Sequence, residues 1–165
     1  MFLLVHAAIG AIGGQLMPHP VLSFSFGVVS HFLTDLIPHG DNDLYLDYKR
    51  GERKRAAYLH VIVDVLVTAG FVALVFLLRD FVRPSAVISG MVGGVLPDVL
   101  VGLVEILKPR PEKRWYKVLA WFHGFHMENH RHVIHRVLKD KKDISELQGF
   151  LMQGALMAVL LLVIF

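Results

Sequence analysis

YLHVIVDVLVTAGFVALVFLL, residues 58–78, contains no Lys or Arg and one carboxylate, Asp64. A helix crossing the hydrocarbon core of a bilayer needs about 20 mostly apolar residues, and this stretch reaches that length. Four further apolar blocks flank it: about Phe2 to Met17, Pro20 to Ile37, Ser85 to Leu107 and Leu147 to Phe165. The first two are short for a span and the last two adequate. The 165 residues are 55% hydrophobic and 19% charged, against about 45–50% apolar and 25% charged in soluble domains. The excess sits in blocks, which argues against both a soluble enzyme and a disordered chain. The expected fold is therefore all-α: an integral membrane helical bundle with about five hydrophobic segments and a cytoplasmic amphipathic helix. It forms a single domain, 1–165, with a core at 1–107, a basic amphipathic segment at 108–146 and a C-terminal membrane helix at 147–165. Pro97, inside the fourth block, is expected to bend or end its helix.

The basic residues set the orientation. Of seventeen Lys and Arg, five lie in 39–57 and ten in 108–146. These loops follow the second and fourth segments and fall on one side, and the positive-inside rule makes that side cytoplasmic. The N-terminus is then cytoplasmic and the C-terminus outside, in a multi-pass protein of the cell membrane. The opening Met-Phe-Leu-Leu-Val-His lacks the basic n-region of a signal peptide, so residues 1–17 are expected to remain as a membrane segment. Because the basic tracts act as topology signals, nucleic acid is not an expected partner; membrane lipids are.

Cysteine is absent, which excludes disulfides and thiolate metal sites. Ten histidines remain. His31-Phe-Leu-Thr-Asp35 and His60-Val-Ile-Val-Asp64 share one spacing, and positions i and i+4 lie one turn apart on the same helix face. The first pair runs on into Pro38-His39-Gly40-Asp41, where Pro and Gly turn the chain back. Leu96-Pro97-Asp98 supplies another carboxylate, and His6 lies early in the first segment. At 1.5 Å rise per residue, His6 is about 6 Å into its segment and His31 and Asp35 are about 9 and 3 Å from the end of theirs. By the same measure His60 and Asp64 are about 3 and 9 Å into the third segment. All fall in one slab near the cytoplasmic interface. An unpaired Asp within a membrane helix costs at least about 2.5 kcal/mol, and a shared cation satisfies several at once. The candidate ligands are His6, His31, Asp35, His39, His60, Asp64 and Asp98. Neutral imidazole with carboxylate suits a divalent metal, zinc first, with manganese or iron(II) as alternates. The competing reading is a set of structural His–Asp hydrogen bonds.

A second group, His123, His126, His130, His132 and His135, lies in the basic segment. His123, His126 and His130 make one helical stripe, which reads as an interfacial helix with Trp115, Trp121, Phe122 and Phe125 at headgroup level, or as a lid over the site. Gly10-xxx-Gly14 and Gly90-xxx-Gly94 match helix–helix packing motifs.

The 31–41 stretch, the second His-x-x-x-Asp and Leu96-Pro97-Asp98 together resemble the membrane-bound metal-dependent hydrolase family, itself similar to zinc-dependent phospholipases C. The resemblance covers roughly residues 1–105. It implies His31, Asp35, His60, Asp64 and Asp98 as ligands, and hydrolysis of a phosphoester, a lipid headgroup among the options. The phospholipase pattern also uses an N-terminal tryptophan, and none stands near residue 1 here. From the residues themselves, two other roles stay open: a non-enzymatic membrane protein with a structural metal, and a metal or proton transporter.

Overall fold

The computed structural model describes residues 1–107, 114–132 and 143–165. Among these residues the secondary structure is seven α-helices: α1 (Leu3–Leu16), α2 (Pro20–Thr34), α3 (Asn42–Arg50), α4 (Lys54–Leu78), α5 (Pro84–Leu107), α6 (Arg114–His132) and α7 (Glu146–Ile164). Local chemistry sets several boundaries. The ring of His19 accepts the N–H of Val21 at 3.2 Å and Pro20 occupies the first turn of α2, where its missing N–H costs nothing. Ser145 and Gln148 form a capping box on α7. Gly51, at φ 89°, terminates α3, a conformation glycine adopts without steric cost. α3 falls in a stretch expected to be a loop. Pro97 does not end α5, which continues to Leu107 with Pro97 buried, the helix packed against α1 and α2.

The centre is a three-helix stack in which α1 and α2 cross α5 at glycines. A Cβ on Gly10 would strike the Gly90 carbonyl, and one on Gly27 would strike Gly90 and Gly94. Backbone therefore meets backbone, as the two Gly-xxx-Gly motifs indicated. The buried apolar core joins Ala7, Ala8 and Ala11 of α1 to Phe71 and Val75 of α4, Val87 and Met91 of α5, and Met157 and Ile164 of α7. α4 and α7 each rest on α1 rather than on each other.

Three helices, α4, α5 and α7, are long and apolar enough to cross a membrane. α1 and α2 are apolar but have 14 and 15 residues. In α4 only Thr68, Phe71 and Val75 are buried, while Leu59, Ile62, Leu66 and Leu77 are more than half exposed. So continuous an apolar surface suits hydrocarbon rather than water.

Candidate metal centre

At one end of the bundle the start of α1, the end of α2, the 36–41 loop, the second half of α5 and α6 converge. Asp35 caps the C-terminus of α2, its N–H bonded to the His31 carbonyl, so its side chain lies one turn beyond His31. From α1 comes His6, from α5 Asp98, and from α6 His126 and His130, one turn apart. His6, His31, Asp35 and His126 are essentially fully buried.

Two groups of ligand atoms each fit within 4.8 Å: His31, Asp35, Asp98 and His126 in one, Asp35, His39 and His130 in the other. Asp35 belongs to both. Its Oδ2 lies 3.0 Å from His31 Nε2 and 3.0 Å from His130 Nε2, and its Oδ1 lies 3.1 Å from His6 Nε2. Asp98 Oδ1 is 3.2 Å from His126 Nε2 and 3.7 Å from His31 Nε2. The Met1 ammonium donates to Asp35 Oδ1 at 3.1 Å and to His39 Nε2 at 2.6 Å, and His39 Nε2 also lies 3.1 Å from Asp41 Oδ2.

The outward ring nitrogens decide what the inward ones can do. His31 Nδ1 lies 2.8 Å from the Gly94 carbonyl, and His39 Nδ1 lies 2.7 Å from the Ile37 carbonyl. A carbonyl only accepts, so both Nδ1 atoms carry the proton; in neutral rings the His31 Nε2 presents a lone pair to the site, while that of His39 accepts from the Met1 ammonium. Thr34 Oγ1 spends its proton on backbone carbonyls one turn back and accepts from His6 Nδ1 at 3.3 Å, which sets His6 the same way. Metal-ligating imidazoles are oriented by this arrangement. Burial pushes His126 below its ordinary pKa, so its ring is neutral near pH 7.

Despite the short distances, His6 Nε2, His31 Nε2 and Asp35 Oδ2 make no hydrogen bond of acceptable geometry. These are lone-pair atoms aimed at a common space rather than at one another. Buried polar groups left so are costly, and a cation among them removes the cost. The donor set, imidazole and carboxylate with a shared Asp35, fits a divalent transition metal.

Of the residues the sequence singles out, His31, Asp35, His39 and Asp98 fall within the two groups, and His6 lies beside them, its Nε2 3.1 Å from Asp35 Oδ1. His60 and Asp64 are not brought into either group. Asp64 Oδ2 accepts the Leu3 N–H at 2.9 Å and caps the start of α1, while the His60 ring packs on Phe2 with centroids 5.5 Å apart. Replacing Asp64 with Ala is expected to lower the thermal midpoint by the equivalent of about 1–2 kcal/mol, the usual worth of a cap, with bound metal unchanged. Loss of metal in that variant would instead tie Asp64 to the ion site.

In the sequence His126 and His130 stand only as part of a stripe read as an interfacial helix or as a lid over the site; their i, i+4 spacing repeats that of His31 and Asp35. His123 turns to another partner, Glu105, at 2.8 Å. Tyr45 and Lys49 of α3 bond the same carboxylate, so Glu105 ties α3 and α6 to the end of α5. The His132 side chain and His135 lie outside the described residues. Comparison with family models, with curated proteins and with solved structures finds no match to this chain.

Proposed function

We propose that this protein is a membrane-embedded, metal-dependent hydrolase acting on a phosphoester near the cytoplasmic interface, with zinc as the first choice of ion and manganese or iron(II) as alternates. The supporting observation is the convergence of unpartnered Nε2 lone pairs on a carboxylate shared by two ligand groups. His31, Asp35, Asp98 and His126 would hold one ion; Asp35, His39 and His130 would hold a second once the Met1 ammonium leaves His39 Nε2. A divalent ion supplies Lewis acidity, polarising a phosphoryl oxygen and making water nucleophilic near neutral pH. The chain's own contribution is orientation: Gly94 and Ile37 fix the His31 and His39 rings, and α6 covers the site.

All five apolar helices are inserted in this reading, α1 and α2 as short segments in the lee of α5. The basic residues of 39–57 put the site end in the cytoplasm. Exposure favours catalysis over a purely structural ion. Structural sites are closed, whereas catalytic sites keep a position open, and the side chain of the ligand Asp98 is 21% exposed. A transporter would set its polar groups near the bilayer midplane; here they gather at one end.

The test is metal-dependent hydrolysis by detergent-purified protein, against lipid and soluble phosphoesters presented in micelles. Turnover that chelation removes and zinc restores is the expected result. A fully metallated protein that leaves the whole panel intact would reduce the ion to a structural role.

A further inference from the structure

Beside the metal centre lies a cleft of about 900 Å³ between α4 and α7. One wall is a single face of α4, with Leu59, Val63 and Val67 at successive turns; the other is a face of α7, with Phe150, Gly154 and Ala158. Phe2, just before α1, and Val5 of α1 line it from the α1 side. The walls stand apart because α4 and α7 both rest on α1 rather than on each other. A Cβ added to Gly154 would meet nothing within 4 Å. Farther along α7 the lining continues through Met157 and Ala158 to Leu161.

Its polarity is graded. The body is mostly apolar, its two polar members Asp64 and Gln153 turned to the N–H groups of Leu3 and Phe2; the rest of the polar lining gathers at one end, where Arg53 pairs with Glu146 beside His60, Asp41, His39 and Met1. His39 belongs to the second ligand group, and Met1 bonds Asp35. The polar end of the cleft is therefore continuous with the metal centre. From Ala56 to Val67 the α4 wall is about 16 Å long at helical rise, close to half of a hydrocarbon core of about 30 Å.

We infer that this cleft receives one acyl chain of a membrane phospholipid and sets its headgroup at the His39 end of the metal centre. The inference rests on the phosphoester reading above and names its substrate class. A linear amphiphile is the occupant that matches an apolar slot one leaflet deep, joined to a polar end and walled by membrane-length helices. A soluble phosphoester would leave the slot without a counterpart, and a second protein helix would leave the polar end without one.

The test does not depend on turnover. Purified full-length protein in detergent is photolabelled with a lysophosphatidylcholine carrying a diazirine midway along its chain, and the cross-links are mapped by mass spectrometry. Labels are expected on the Val63–Val67 and Phe150–Ala158 faces, competed by unmodified lysophosphatidylcholine and not by glycerol phosphate. Gly154→Trp fills the slot from one wall and Val63→Trp from the other. Each is expected to cut labelling there about tenfold, one step of 1.4 kcal/mol in occupancy, with metal content unchanged. Labels spread over outward positions such as Leu74 and Leu162, insensitive to both substitutions, would overturn the inference. So would cross-links between two copies of the chain across the cleft. Metal content and turnover, read on the same samples, report separately on the hydrolase reading, because the labelling needs neither.

Discussion

Asp35→Asn is expected to lower bound metal at least tenfold while the protein stays inserted and monodisperse. The substitution keeps the shape of the side chain and removes its charge. Because Asp35 is the member common to both ligand groups, a single change weakens both. An amide also brings an NH₂ donor into a space where His31 Nε2 and His6 Nε2 present lone pairs, so it can hydrogen-bond where the carboxylate cannot. The Asn Oδ1 can still accept from the Met1 ammonium, but the buried charge pair is lost, so the apo variant is expected to be less stable than apo wild type. Asp80→Asn, in the exposed turn between α4 and α5 at the other end of the bundle, is the matched control and should retain full metal content. Equal metal in the two variants would show that Asp35 is not a ligand.

The second large effect belongs to the packing that assembles the site. Gly90 of α5 is where three helices meet: its added Cβ would strike the Gly10 carbonyl, and its own carbonyl already blocks a Cβ on Gly10 or Gly27. The obstructing atoms are backbone, so no rotamer change relieves the clash. Gly90→Leu is expected to cost about 3 kcal/mol or more, the upper end of overpacking penalties. It should also separate His6 on α1 from Asp98 on α5, and so reduce metal binding. Gly102→Leu on the same helix meets nothing within 4 Å and should behave as wild type. Thermal unfolding in detergent with size-exclusion profiles distinguishes them. A Gly90→Leu protein as stable as Gly102→Leu would mean the helices do not pack backbone against backbone.

Much of the site was legible because hydrophobic periodicity and helix ends carry geometry. His31 and Asp35 share a face by spacing, Asp35 sits at a helix end marked by Pro38, and the alternation of apolar blocks brings His6, His39 and Asp98 to the same level. Spacing names a face but not what lies opposite. His60 and Asp64 repeat the His31–Asp35 pattern, yet α4 turns Asp64 toward the first N–H groups of α1. Local sequence cannot reveal that demand, because the donors lie 61 residues away. The converse holds for α6. Its aromatic and basic residues read as an interfacial helix or a lid, and Trp121 is 69% exposed. The opposite face of the same helix delivers His126, 1% exposed, to Asp98. An amphipathic stripe does not disclose whether the face opposite lipid is solvated or buried. Pro97 was the other misleading signal. Proline weakens a helix by removing one hydrogen bond, but α5 packs against both α1 and α2 and continues through Pro97 to carry Asp98 to the site.

The cation is the centre of this account, and elemental analysis of the wild-type protein tests it most directly. The protein should be purified in detergent without chelator and without a polyhistidine tag, then exchanged into metal-free buffer before counting. At least one equivalent of zinc, manganese or iron per chain in wild type, and a small fraction of that in Asp35→Asn, is the predicted result. Negligible metal in both proteins, even after incubation with zinc, would contradict the account and leave the buried histidines and aspartates as a hydrogen-bonded network.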